Sequence, residues 1–213
     1  MIYPPFLYFL ISAFFGWMAI ELNPASHNPG IAWGKFAIEL MMILFIRDGL
    51  IYLRHRIFHT RPVWAYHSIH HSSEEVNWLS AVRFHPAENL IEGAAEVTLF
   101  IVAGALGVDV AMLSVSGFII GAYNLLIHAN IRWTFGPLRF FLVSPVFHRW
   151  HHSDLPEARD KNFAAMFSCI DLALGTFYMP KNVMPETTGL SAEEKKIHPR
   201  TLAGQFIYPF RKR

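Results

Sequence analysis

Four stretches of this chain are apolar over lengths that suit a membrane crossing, which takes about 20 helical residues. They cover about 5–22, 31–53, 88–106 and 110–128. No charged residue precedes Glu21. The first stretch lacks the basic start and small-residue cleavage site of a signal peptide, so it reads as a retained helix. Residues 21–30 and 107–109 carry the Pro, Asn and Gly of turns. Four spans joined in this way make two helical hairpins. The second span carries Lys35 and Glu39, then Arg47 and Asp48. The third carries Glu88, Glu92 and Glu96 on one helical stripe. Such carboxylates are expected to face the bundle interior and meet Arg or Lys of neighbouring helices.

The charges orient these spans. Neither turn holds Lys or Arg, whereas Arg54, Arg56, Arg61, Arg83, Arg132, Arg139 and Arg149 fall on the other side with the terminal RKR. Positive loops stay cytoplasmic. Both termini and the segments 54–87 and 129–213 are therefore expected on the cytoplasmic side of a multi-pass membrane protein. Composition agrees: 53% of residues are hydrophobic and 16% charged, against about 25% charged in an ordinary soluble domain. Mean hydropathy is +0.29. A net charge of +2 gives no broad field for nucleic acid, and no such partner is expected. The single cysteine, Cys169, excludes a disulfide framework and a Cys-based zinc site. No glycine-rich dinucleotide fingerprint and no P-loop occur.

Histidine supplies the candidate chemistry. Ten of the twelve histidines lie between His55 and His152, all at the predicted cytoplasmic level. His55 and His59 are four apart, so a helix leaving the second span shows both on one face. The pattern H-x-x-H-H occurs twice, as His67, His70, His71 and as His148, His151, His152. His85 and His128 stand singly at span ends. Imidazole suits iron, zinc, copper and nickel. Ten imidazoles exceed the needs of one metal and match two, which points to redox chemistry with oxygen or to hydrolysis. His27 and His198 lie outside the pattern and read as turn or surface residues.

The motifs HRIFH (55–59), WAYHSIHHSS (64–73), AVRFHP (81–86), NLLIHAN (124–130), SPVFHRWHHS (144–153), DKNFA (160–164) and IDLALGTF (170–177) occur in that order. In this the chain resembles the fatty acid hydroxylase/sterol desaturase superfamily of integral-membrane di-iron enzymes. The resemblance implies an all-α fold: a four-helix transmembrane bundle with a cytosolic helical cap enclosing a dinuclear metal site, the whole chain 1–213 forming one domain. It implies two iron ions, with zinc as a substitute in purified protein, and O2 as co-substrate. It implies hydroxylation or desaturation of an unactivated C–H bond in a lipid such as a sterol or fatty acyl chain, and a separate ferredoxin- or cytochrome b5-like electron donor. The ligands carried over are His55, His59, His67, His70, His71, His85, His128, His148, His151 and His152.

Ligand imidazoles commonly donate their other N–H to a second group. Asp154, Glu74, Glu75, Asn77, Asn124, Asn130, Asp160 and Asn162 are the nearby candidates. Residues 180–213 read as a polar cytosolic extension, with Ser191 and Glu194 spaced as a capping box on a short exposed helix. Three rival functions fit less well. A zinc-dependent membrane hydrolase wants a base as in H-E-x-x-H, which is missing. A metal transporter places its ligands near the bilayer midplane. A haem cytochrome needs paired histidines on facing spans, not clustered triplets.

Overall fold

The computed structural model describes residues 29–180 and 183–211. The first predicted span and His27 lie outside them. All regular elements among the described residues are helical, apart from one isolated bridge between Ser153 and Thr188. We number the α-helices α1 (Pro29–Phe58), α2 (Arg61–His71), α3 (Pro86–Ala105), α4 (Val110–His128), α5 (Pro145–His151), α6 (Ser168–Ala173), α7 (Ala192–Ile197) and α8 (Leu202–Ile207). The second, third and fourth apolar stretches become α1, α3 and α4, and α1 runs on past the apolar stretch to carry His55. Proline opens α3 and α5, where its missing N–H costs nothing and its fixed φ favours the first turn. Ser144 caps α5 by accepting the Phe147 N–H at 3.1 Å. Gly107, at φ +81°, turns the chain between α3 and α4.

The chain divides into two compact units, one of Met1–Arg47 with Leu90–Ala122 and one of Asp48–Asn89 with Tyr123–Arg213. In the first, Arg47 is buried. Its guanidinium donates to the Leu113 carbonyl at 2.9 Å and to Ser116 Oγ at 3.0 Å, and it pairs with Glu96. A side chain at position 117 would begin 3.0 Å from that guanidinium, so Gly117 provides its slot. Thus Glu96 meets an arginine, as the acidic stripe led us to expect. Meanwhile Ile38, Met41, Met42 and Ile46 on α1, and Val97, Ile101 and Val102 on α3, are exposed. A buried arginine with exposed apolar residues along both helices suits a lipid surround better than water. Ala111–His128, with a mean hydropathy of 1.5, is the one stretch among the described residues long and apolar enough to cross a membrane on composition alone. The charged residues of α1 and α3 dilute their apolar character.

The second unit holds every histidine of the sequence pattern. It also corrects the reading of 180–213 as a mere polar extension. Leu190 and Tyr208 are buried. Gly189 N–H donates to the His152 carbonyl at 2.9 Å, and Thr188 Oγ1 donates to the Glu74 carbonyl at 2.7 Å. The Ser191–Glu194 capping box is present. Glu194 also accepts from Trp64 Nε1 at 2.8 Å, so this helix start is fastened to α2.

Candidate metal centre

Nine of the ten candidate histidines gather into two clusters. His55, His59, His67, His71 and His151 form one, and His70, His128, His148 and His152 the other. Within each, the ligand nitrogens all lie within 4.8 Å of one another. The repeated motif now has a geometric meaning. In an α-helix consecutive residues differ by about 100° of azimuth. Adjacent histidines therefore diverge: His70 and His71 enter different clusters, as do His151 and His152. The first copy gives two imidazoles to the five-histidine cluster and one to the other; the second copy does the reverse.

His85 is not brought to either cluster. Its Nε2 faces the Phe206 carbonyl at 2.9 Å, and its Nδ1 accepts the Ala87 N–H at 3.0 Å. The ring satisfies one of the unpaired donors at the start of α3. Both of its nitrogens are thereby occupied, and the set of ten becomes nine on this geometry.

The outer nitrogens fix which way the lone pairs point. His55 Nδ1 donates to the Phe163 carbonyl at 2.8 Å, His151 Nδ1 to the Lys161 carbonyl at 2.8 Å and His128 Nδ1 to the Asn124 carbonyl at 2.7 Å. A carbonyl only accepts, so each of these rings carries its proton on Nδ1. His67 Nδ1 lies 2.6 Å from Glu88 Oε1 and His59 Nδ1 lies 3.2 Å from Asp160 Oδ1. Burial, followed in most cases by neighbouring imidazoles, pushes His55, His67, His70, His71, His148, His151 and His152 well below the ordinary histidine range. Burial lowers His59 too, with Asp160 opposing. Neutral rings protonated on Nδ1 leave Nε2 as a bare lone pair. Yet His55 Nε2 and His67 Nε2 stand 3.1 Å apart. Two Nε2 atoms turned to one point at that distance are placed as a shared cation would require. Ligands on a metal with bonds of about 2.0–2.1 Å are roughly 2.9–3.4 Å apart in octahedral or tetrahedral geometry. In the second cluster, His148 Nε2 lies 2.9 Å from His128 Nε2 and 3.2 Å from His152 Nε2. His59, His71 and His151 each keep a buried Nε2 without a hydrogen-bond partner. The donor set fits a metal ion in each cluster.

A buried clamp holds the acceptor loop. Asp171 accepts from the N–H groups of Phe163 at 2.7 Å and Ala164 at 2.9 Å, and from Thr176 Oγ1 at 2.7 Å. Asp48 accepts the next three, from Ala165, Met166 and Phe167, at 2.8, 3.1 and 2.6 Å. Five successive backbone donors thus end on two carboxylates. Asp160 and Asn162 take left-handed conformations, with φ of 56° and 61°, which Asp and Asn tolerate better than most residues. The Asn162 side chain grips the Phe147 and Tyr178 carbonyls at 3.0 and 2.6 Å. Of the expected outer partners, Asp160 meets a ligand through its side chain and Asn124 through its backbone. Asp154 and Glu74 instead pair with Lys195, and Asn130 accepts from Arg149. Glu88 and the Lys161 and Phe163 carbonyls were not foreseen in this role.

A half-open cleft of about 760 Å³ leads to one cluster. His59, His71 and His151 line it with Trp64, Arg159 and Asp160, whereas all four rings of the other cluster are buried.

The histidines set an acid limit on the metal-free chain. Their folded-state pKa values lie below 6.5, so the unfolded chain binds more protons as pH falls through that value. The stability they permit is complete above pH 6.5 and is lost below it. Each such histidine steepens the loss by up to about 1.4 kcal/mol per pH unit. Thermal melts of metal-free protein are expected to be flat above pH 6.5 and to fall steeply below it. A pH-independent melting temperature would contradict the buried neutral rings.

An all-helical unit with two convergent all-histidine clusters defines a class of histidine-rich metal-binding protein. The sequence profile of the fatty acid hydroxylase family matches residues 40–176, and the chain belongs to that family. Ornithine lipid hydroxylase OlsE of Rhizobium tropici is 29% identical over 178 residues, covering 83% of this chain and 53% of that protein. Alkylglycerol monooxygenase of Caenorhabditis elegans is 29% identical over 156 residues, covering 73% of this chain and 30% of that protein. The Danio rerio alkylglycerol monooxygenase is 32% identical over 127 residues, covering 59% and 27%. The chain thus spans about half the length of the first relative and under a third of the others. No solved structure matches it.

Proposed function

We propose that this protein is a membrane-bound, O2-dependent non-haem di-iron oxidoreductase that hydroxylates, or desaturates, an unactivated C–H bond of a lipid. The observation that carries the reading is the pair of all-histidine clusters, with His55 Nε2 and His67 Nε2 turned toward each other 3.1 Å apart. His55, His59, His67, His71 and His151 would hold one iron, and His70, His128, His148 and His152 the other. His85 was carried over as a tenth ligand; we now assign it to the start of α3. Bound there, the two irons supply activation of dioxygen, with electrons from a separate ferredoxin- or cytochrome b5-like protein. The chain itself keeps the imidazoles neutral, orients them through Nδ1 and excludes water from the second cluster.

The relatives named for lipid substrates support a lipid substrate here. The exposed apolar faces of α1 and α3, with the apolar α4, support a four-helix transmembrane bundle of two hairpins. The arginine-rich segments support a cytoplasmic metal site and cytoplasmic termini. We read the two compact units as parts of one integral-membrane domain. The zinc-hydrolase reading has less support, since Glu88 and Asp160 sit on the outer Nδ1 side and not where a hydrolytic base must act.

Metal analysis of detergent-purified, iron-supplied protein is expected to give about two irons per chain. His70→Ala and His151→Ala, one in each cluster, are expected to lose iron and product. Host lipids incubated under 18O2 should then carry one labelled oxygen per hydroxylated product. Stoichiometric metal without any O2-dependent lipid change would overturn the oxygenase reading. No stoichiometric metal under iron or zinc loading would overturn the dinuclear site.

A further inference from the structure

The two clusters differ in what stands behind their ligands. In the four-histidine cluster the His128 Nδ1 proton goes to a neutral carbonyl, that of Asn124. His148 Nδ1 and His152 Nδ1 have no hydrogen-bond partner. In the five-histidine cluster His55 and His151 also donate to neutral carbonyls. His59 faces Asp160, whose side chain is 60% exposed, so solvent screens that charge. His67 alone among the nine faces a wholly buried carboxylate, Glu88, at 0% exposure and 2.6 Å.

Glu88 is held by a helix. It lies in the first turn of the 20-residue helix α3, where unpaired N–H groups and the helix dipole favour negative charge. A carboxylate hydrogen-bonded to Nδ1 draws that proton outward and raises the electron density at Nε2, which makes the ring a stronger donor to metal. The same bond fixes the ring's rotation, because Glu88 is anchored by a helix rather than by a loop.

We infer that Glu88 is a positioning residue whose buried charge strengthens metal binding at the five-histidine cluster through His67, with no counterpart among the described residues behind the four-histidine cluster. The inference rests on the two-metal reading above. It makes the paired sites unequal: one metal has a full negative charge built into its ligand support, and the other has none.

Cobalt(II) titration of the metal-free full chain in detergent, followed by the visible ligand-field bands, tests this without any turnover. The wild-type protein is expected to bind two equivalents. Glu88→Gln keeps the shape and one acceptor oxygen but removes the charge. It is expected to weaken one binding step about 10- to 100-fold, to shift the band of that step, and to leave the other step unchanged. Glu88→Asp keeps the charge and is expected to recover part of the lost affinity. Glu88→Gln in the His67→Ala background should add little further loss at that step. Equal weakening of both steps, or no weakening in Glu88→Gln, would overturn the inference. Should Glu88→Gln fail to fold, Glu88→Asp decides: affinity at or below that of Glu88→Ala would overturn it. Absence of any two-equivalent binding in the wild type would instead sink the two-metal reading itself.

Discussion

Asp171→Ala is expected to be among the most damaging single substitutions outside the ligands. Asp171 is fully buried, and burial raises its pKa against the pull of its hydrogen bonds. Its removal leaves three donors without their acceptor: the N–H groups of Phe163 and Ala164 and the Thr176 hydroxyl. A buried donor stripped of its partner costs about 1–3 kcal/mol. A total of roughly 3–6 kcal/mol follows, or a fall in melting temperature on the order of 10–20 °C for a chain of this size. Asp171→Asn keeps one acceptor oxygen and should lose about half as much. The effect should reach the metal site, because the Phe163 carbonyl that orients His55 belongs to the clamped loop. Thermal melts and metal content measured together check both parts. A melting temperature within about 2 °C of wild type would show that the clamp is dispensable.

Chelation is expected to remove the two metals in two phases. The cleft reaches His59, His71 and His151 of one cluster, and every ring of the other is buried. A soluble chelator can therefore attack the five-histidine metal directly, while release from the four-histidine cluster waits for local opening. Opening free energies of a few kcal/mol separate such rates by factors of about 10–1,000. One equivalent should leave quickly and the second at least tenfold more slowly. His148→Ala should remove the slow phase and His71→Ala the fast one. A single phase carrying both equivalents would show that the cleft does not distinguish them. This is a statement about rate; the charge of Glu88 acts on affinity.

Much of this arrangement was legible in the residues. The three described apolar stretches are helices, and nine of the ten candidate histidines converge. The signal was strong because i, i+3 and i+4 spacing maps directly onto a helix face. His85 stands apart from both clusters because an imidazole beside a helix start has two uses, and sequence spacing does not separate capping from ligation. Glu88 was grouped with Glu92 and Glu96 by a shared stripe. The acidic residues at the two ends of that stripe meet different partners, His67 and Arg47, which spacing along one helix does not encode. The Lys161 and Phe163 carbonyls were invisible for a simpler reason. A backbone acceptor carries no side-chain signature, and only the left-handed Asp160 and Asn162 hinted that the DKNFA loop was shaped for a purpose.

The splitting of each His-His pair has a consequence for how the centre tolerates change. Since neighbouring residues on α2, and again at the end of α5, enter different clusters, neither cluster has a private scaffold. Deleting one residue within either H-x-x-H-H, or turning that helix by a single residue's azimuth, would misplace histidines of both clusters at once. The two clusters therefore share one reading frame of support. A point substitution can cost one cluster a single imidazole, whereas an insertion or deletion in either motif would spoil both together.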